Sequence, residues 1–180
     1  ALEAAIKQLE TMGAIDADRN LTRIGLRMMP FPLSPPLSRM VVEAADRFGG
    51  IVNKFGGDST LVLFGLAEQQ ALPQASAEAA VRAALAIRAG LRELNERRLG
   101  ESLPPLIAGI GINTGTVMAG LIGTQRRMEY TAIGDAVNLS ARIQTLNRKL
   151  RTDILISHAT YKALGPQEWL RATNRGLRQF

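Results

Sequence analysis

The stretch at residues 51–65 carries the two side chains whose chemistry is easiest to interpret. A β-rich run reaches Lys54, crosses a Gly-Gly-Asp turn and returns as a second β-rich run. Such a hairpin holds the Lys54 ammonium and the Asp58 carboxylate on one short, rigid element. This pair suits a substrate that is polar at one end and metal-bound at the other. A Gly-Gly-Asp turn is also ordinary hairpin chemistry, so this stretch alone does not distinguish a site from a turn.

Composition limits the class of protein. With 180 residues, of which 46% are hydrophobic, the chain can bury one substantial core, so we expect one globular domain with an appendage. No apolar run is long enough to span a bilayer, and no signal peptide is recognisable. The absence of cysteine excludes disulfides and thiolate metal sites. We expect a cytoplasmic setting, which includes the cytosolic part of a larger or membrane-attached protein.

The net charge of +6 is unevenly distributed. Residues 1–46 carry five basic and six acidic side chains, whereas residues 142–180 carry eight basic and two acidic ones. A basic tract attracts nucleic acid, and it equally attracts a nucleoside triphosphate. Because only 4% of the residues are aromatic, few rings are present to stack on single-stranded bases. This disfavours nucleic acid as the partner.

The chain alternates between strand-like and helix-like segments after a helical start. Helices are predicted at 1–12 (ended by Gly13), from Thr22 or Asn20 to Met29, from Ser38 to Phe48, and at 76–98, 135–149 and 158–164. Strands are predicted at 51–55, 60–65, 106–113, 127–133 and 153–157, and a last hairpin at 170–180. This mixture predicts an α/β sandwich with a mostly antiparallel sheet.

Three segments together resemble the catalytic domain of class III nucleotidyl cyclases, the adenylate and guanylate cyclases. They are IVNKFGGDSTLVLFG (51–65), AGIGINTGTVMAGLIG (108–123) and RMEYTAIGDAVNLSARIQTL (127–146). The resemblance covers about residues 39–180, and we take residues 41–180 as the cyclase domain. It implies a ferredoxin-like sandwich, active sites formed across a homodimer, Mg²⁺ or Mn²⁺ as cofactor, and conversion of ATP to 3′,5′-cyclic AMP and pyrophosphate.

The resemblance also implies roles for five residues. Asp58 matches one of the two metal-binding aspartates of the family. Lys54 and Thr131 match the residues that read the purine, and Thr in the second position favours adenine. Asn138 matches the residue that orients the ribose, and Arg142 the residue that stabilises the transition-state phosphate. Without the family motif, Arg142 would be an ordinary solvated helix residue.

Two features depart from the family pattern. The first metal aspartate of the family lies on an N-terminal strand, and the chain has no such strand. Asp16 lies at about the right distance from Asp58, but its surroundings match another pattern, so we do not assign it to a metal. The basic residue that holds the triphosphate falls at or beyond Phe180, where Arg178 is a weak substitute. Asp135 is expected to cap its helix, and the single histidine, His158, to be structural.

Residues 1–40 resemble a different family, the segment between the winged helix and the helical bundle of DEAH-box RNA helicases. The matching positions lie at 13–16, 21–28 and 31–40. In those helicases the segment is accessory and contains no ATPase motif. The join lies near residues 38–41, and a natural fusion and a chimera both remain open.

Three functions therefore remain open. The first is an adenylate cyclase domain acting as a homodimer, with any sensor or regulatory module outside this chain. The second is a degenerate cyclase domain that dimerises or binds nucleotide without turnover, which the missing metal aspartate favours. The third is a helicase-associated fragment that binds RNA through its basic C-terminal half.

Overall fold

The computed structural model of the chain describes residues 2–29, 33–56, 59–66, 72–124 and 127–176; for 54–56, 122–124 and 127–130 it describes the backbone alone. The chain divides into two compact units. The first comprises Ala1–Leu63 and Leu85–Leu106, and the second comprises Phe64–Ala84 and Ile107–Phe180.

Six helices and six strands are found in the described residues. The helices are α1 (Leu2–Thr11), α2 (Arg23–Met28), α3 (Pro35–Arg47), α4 (Pro73–Gly100), α5 (Asp135–Leu150) and α6 (His158–Leu164). The strands are β1 (Ile51–Gly56), β2 (Ser59–Leu63), β3 (Ile110–Ile112), β4 (Met118–Thr124), β5 (Arg127–Ile133) and β6 (Ile154–Ile156). None of the helices in these parts of the chain is long and apolar enough to cross a membrane.

The N-terminal helices form a capped pair. Helix α1 ends in a left-handed glycine, Gly13 (φ 63°), whose N–H donates to the Glu10 carbonyl at 2.8 Å, while the Ala14 N–H donates to the Leu9 carbonyl at 2.9 Å. These two bonds satisfy carbonyls that the helix end would otherwise leave without partners. Thr22 begins α2, because its hydroxyl accepts from the Gly25 N–H at 3.1 Å. The sequence had predicted that Gly13 ends α1, and it had left Thr22 and Asn20 as alternative caps of α2.

The described residues of the first unit include a buried apolar cluster. Ala14, Met28 and Val42 form its centre, and Val52 of β1 packs against it. An Arg27–Asp46 ion pair joins α2 to α3. Helices α1 and α2 therefore share their core with α3 and β1, so the helicase-like segment is folded onto the elements that follow it.

The second unit contains a parallel and an antiparallel strand pair. Strand β3 pairs in parallel with β6, and β4 pairs antiparallel with β5 from Met118–Ile133 to Thr124–Arg127. The Arg82 guanidinium of α4 lies 4.2 Å from the centre of the Trp169 ring and also pairs with Glu78. This stacking ties the segment after α6 to the first half of α4.

The fold class agrees with the prediction, since helices combine with mostly antiparallel strand pairs in a mixed α/β arrangement. Four details differ. Helix α3 begins at Pro35 rather than Ser38, because proline is well tolerated in the first helical turn. Strand β4 was not predicted as a separate strand, and β3 is only three residues long. Residues 170–176 form no strand, and 177–180 lie outside the described residues.

Candidate active site

Thr131 and the helix that carries Asn138 and Arg142 belong to one strand–turn–helix segment. Thr131 lies on β5 opposite Gly120 of β4 and is 7% exposed. Strand β5 runs through Ala132, and two residues later the chain turns at Gly134. The φ of Gly134 is 143°, a value that residues with a side chain rarely adopt. Helix α5 begins directly afterwards, so the geometry of this turn sets the direction in which the helix leaves the strand.

Helix α5 is held against strand β3 at very short range. A Cβ atom added at Gly111 would lie 2.3 Å from the Gln144 nitrogen and 2.5 Å from the Ser140 carbonyl oxygen. Only a residue without a side chain allows this approach. Gly111 belongs to the glycine-rich segment that resembles a family motif. Its close contact with α5 gives this part of the segment a packing role that positions the helix.

A buried amide fixes the helix along its length. Asn147 is 3% exposed, and its Nδ2 donates to the Ile110 carbonyl of β3 at 3.0 Å and to the Gln144 carbonyl at 3.0 Å. Its Oδ1 accepts from the Thr152 hydroxyl at 2.9 Å. With the amide satisfied on both sides, α5 cannot slide along β3 without breaking a buried hydrogen bond.

The loop after β3 is tied to both helices that follow it. The Asn113 side chain donates to the Ala136 carbonyl in the first turn of α5 at 3.1 Å, and the Thr114 hydroxyl donates to the Thr160 hydroxyl at 3.1 Å. Thr160 is fully buried. The first turn of α5, just before Asn138, is therefore anchored by its neighbours.

Asn138 and Arg142 are both exposed on α5. Because they are four residues apart, they lie on the same face of the helix, about 6 Å apart along its axis. This face is opposite to the one that carries buried Ile143 and Asn147. The arrangement is a rigid helix that presents an amide and a guanidinium to solvent, which suits binding of a ribose and a phosphate.

Lys54 belongs to the first unit, on strand β1. The β1–β2 ladder shifts register between Val52 and Lys54, so a bulge precedes the lysine. Bulges of this kind are frequent beside functional sites, where they change the direction in which a strand presents its residues. Asp58 lies outside the described residues, between Gly56 and Ser59, which pair with each other.

Asp16 has a structural role in the turn between α1 and α2. Its Oδ1 accepts from the Asp18 N–H at 3.0 Å and the Asn20 N–H at 2.8 Å. This carboxylate is a turn-forming group. Across the described residues, no three His, Cys, Asp or Glu side chains form a group that could hold a metal ion.

The expectation that Asp135 caps α5 was wrong. Gly134 occupies the cap position of α5, and because glycine has no side chain, this helix start has no side-chain cap. Asp135 is the first helical residue. A carboxylate there still interacts favourably with the positive end of the helix dipole. His158 is the first residue of α6, which Ser157 caps by accepting from the Thr160 N–H at 3.0 Å.

Sequence reasoning missed the residues that hold the site in place, Gly111 and Asn147. A signal for Asn147 was available, since an asparagine four residues after Ile143 falls on the apolar face of its helix. The close approach at Gly111 had no signal beyond the presence of glycine in a strand.

Comparison with protein families identifies two segments. The adenylate and guanylate cyclase catalytic domain matches residues 50–179. The winged-helix part of the helicase-associated domain HA2 matches residues 5–33, a much shorter segment.

Known proteins with similar sequences include two uncharacterised proteins of Mycobacterium tuberculosis. One is 35% identical over 129 residues, covering 72% of this chain, and the other is 36% identical over 132 residues, covering 73%. The chain spans 22% of the length of each of these relatives.

Solved cyclase structures share the fold. The guanylyl cyclase Cya2 is 31% identical, with a TM-score of 0.61 over 87% of this chain and 83% of its own. The adenylyl cyclase CyaB from P. aeruginosa is 29% identical, with a TM-score of 0.62 over 79% of this chain and 75% of its own. The motifs, the fold and the match over residues 50–179 agree, and the chain belongs to the family of adenylate and guanylate cyclase catalytic domains.

Proposed function

We propose that this chain is an adenylate cyclase catalytic domain that converts ATP to 3′,5′-cyclic AMP and pyrophosphate as a homodimer. The observation that carries the proposal is the β5–Gly134–α5 segment, in which Thr131 precedes a helix that presents Asn138 and Arg142 on one exposed face. In the reaction, the ribose 3′-oxygen attacks the α-phosphorus and pyrophosphate leaves. We assign the ribose contact to Asn138.

Arg142 is proposed to stabilise the charge that develops on the phosphate. A guanidinium presents several N–H donors in a planar fork, which matches phosphate oxygens better than an ammonium does. Helix α5 supplies the fixed position, because its opposite face is anchored to β3 through Asn147. Donors that are already oriented before the reaction lower the barrier most effectively.

The preference for adenine over guanine is assigned to Lys54 and Thr131. A threonine hydroxyl can accept a hydrogen bond from the exocyclic amino group of adenine. Because the chain is similar to both a guanylyl cyclase and an adenylyl cyclase, these similarities do not decide between guanine and adenine. Replacing Lys54 by Glu together with Thr131 by Cys is expected to shift the ratio of cyclic GMP to cyclic AMP upwards. An unchanged ratio in the double variant would contradict the assignment.

Asp58 is proposed as a ligand of Mg²⁺ or Mn²⁺, because a carboxylate on a short hairpin turn is the type of oxygen donor these ions prefer. A bound divalent ion would neutralise phosphate charge and activate the attacking hydroxyl. We assign no second carboxylate to this ion, since the Asp16 carboxylate accepts two backbone hydrogen bonds in its own turn. Asp58→Ala should abolish turnover while leaving the unfolding midpoint unchanged. Unaltered turnover in this variant would exclude Asp58 from the metal site.

The second candidate is a degenerate cyclase domain that binds nucleotide or dimerises without turnover. The involvement of Asp16 in turn hydrogen bonds favours it, because this leaves Asp58 as the single assigned metal ligand. Measuring ATP binding and cyclic AMP formation on the same sample separates the two candidates. Binding without product supports the second, and metal-dependent product supports the first.

For the helicase-like segment, we propose an accessory role that stabilises the first unit. Its support is the shared cluster in which Ala14 and Met28 pack with Val42 of α3. Met28→Ala should therefore lower the unfolding temperature in one cooperative step. A separate early transition would instead mark the segment as an independent unit.

A further inference from the structure

The exposed face of α5 continues beyond Arg142 as a single row. Asn138, Arg142, Thr145 and Lys149 follow one another at intervals of four, three and four residues, and all four are exposed. With 3.6 residues per turn, Lys149 lies within about 20° of Arg142 around the helix axis and about 10 Å further along it. Two cations thus share one face of one rigid helix.

These two cations have no partner in the described parts of the chain. Neither Arg142 nor Lys149 takes part in any of the ion pairs found there, which join Arg19, Arg27, Arg39 and Arg82 to carboxylates. The sequence contains no acidic residue from Ala136 to Thr152. Asp135 shares the face, but it lies at the N-terminal end of the row, beyond Asn138. Acidic side chains of α5 therefore do not neutralise the positive charges of Arg142 and Lys149.

Thr145, between the two cations, does not compete for a ligand. Its hydroxyl donates to the Arg142 carbonyl at 2.7 Å. The backbone beneath the row is fixed by the close contact at Gly111 and by the Asn147 amide. The distance between the attachment points of the two cations is accordingly constant, while their long side chains can adjust to a ligand.

We propose that Lys149 binds the distal phosphates of the nucleoside triphosphate whose α-phosphate faces Arg142. This rests on the proposed function, because it takes the Arg142 contact as given. The phosphate chain of a triphosphate extends away from the α-phosphate, and a lysine two turns further along the same face is positioned to meet it. Lysine suits this role as a flexible point charge that tolerates several phosphate geometries.

The test compares Lys149→Ala with Arg148→Ala by equilibrium dialysis of ATP and AMP at constant ionic strength. Arg148 is the matched control, because it is exposed on the same turn, carries the same charge and lies about 100° away around the helix. Lys149→Ala should weaken ATP binding about 5- to 10-fold and change AMP binding less than about 2-fold, as expected for loss of a partly exposed charged hydrogen bond. Arg148→Ala should change neither by more than about 2-fold.

Three results would overturn the proposal, and they separate it from the proposed function. Equal losses in both variants would indicate nonspecific attraction of polyanions. Unchanged ATP binding in Lys149→Ala, with weaker binding in Arg142→Ala, would remove the assignment to Lys149 and leave the proposed function intact. Failure of the unaltered chain to bind ATP would overturn both.

Discussion

Gly111 offers the sharpest structural prediction, because one methyl group tests how α5 is positioned. In Gly111→Ala, the new Cβ would lie 2.3 Å from the Gln144 nitrogen, 2.5 Å from the Ser140 carbonyl oxygen and 2.7 Å from the Gln144 Cα. Unstrained contacts between heavy atoms are at about 3.5 Å, so α5 must move by about 1 Å. All three clashes involve helix backbone, which cannot rotate away as a flexible side chain could.

The energetic cost follows from this displacement. Overpacking of this kind costs about 1–3 kcal/mol. A shift of about 1 Å would also strain the 3.0 Å hydrogen bond from Asn147 to the Ile110 carbonyl, at a further cost of about 1 kcal/mol. Alanine recovers about 0.5–1 kcal/mol by restricting the unfolded chain. The net loss of unfolding free energy is about 1–3.5 kcal/mol, which corresponds to a midpoint lowered by about 2–14 °C.

Thermal unfolding followed by circular dichroism measures this effect, and Gly100→Ala is the matched control. A Cβ at Gly100, the last residue of α4, meets no atom within 4 Å. The control should unfold at the same temperature as the unaltered chain or up to a few degrees higher. If Gly111→Ala and Gly100→Ala unfold at the same temperature, α5 does not lie as close to β3 as described, and the account of how Arg142 is positioned is wrong.

Two further predictions concern other polar groups that hold the elements in place. Asn147→Leu removes the buried amide that bonds the Ile110 carbonyl and should cost about 2–3 kcal/mol in urea unfolding, whereas the exposed neighbour Arg148→Leu should cost less than about 0.5 kcal/mol. Thr22→Ala removes the cap of α2 and should cost about 1 kcal/mol in the same assay, with Thr22→Ser largely restoring stability; no recovery in the serine variant would argue against the hydroxyl as the cap.

Local signals in the sequence were sufficient to predict most helices. Gly13 and Thr22 mark helix ends through backbone conformation and capping chemistry that involve only nearby residues. Helix α5 was equally recognisable, from its start after Gly134 to its end at Leu150. These features are predictable because they depend on interactions within a few residues.

Features that depend on distant partners were harder to predict. Strand β4 contains two glycines and lacks a strong β pattern, and it becomes a strand because β5 pairs with it along its length. The close contact between Gly111 and Gln144 depends on residues more than thirty positions apart. Asp16 precedes Asp58 by about as many residues as separate the two metal-binding aspartates of the family. Its carboxylate nevertheless accepts hydrogen bonds within a local turn. The assigned roles of Lys54, Asp58, Thr131, Asn138 and Arg142 remain predictions.

Cyclase activity across a dimer is tested by the initial rate of cyclic AMP formation from ATP with Mn²⁺ over a wide range of protein concentration. If active sites form across a homodimer, the rate should rise faster than linearly at low concentration and become proportional to protein once dimers predominate. Arg142→Ala should abolish product over the whole range. Absence of cyclic AMP at every concentration, in a sample that binds ATP, would contradict the account and identify the chain as a nucleotide-binding module.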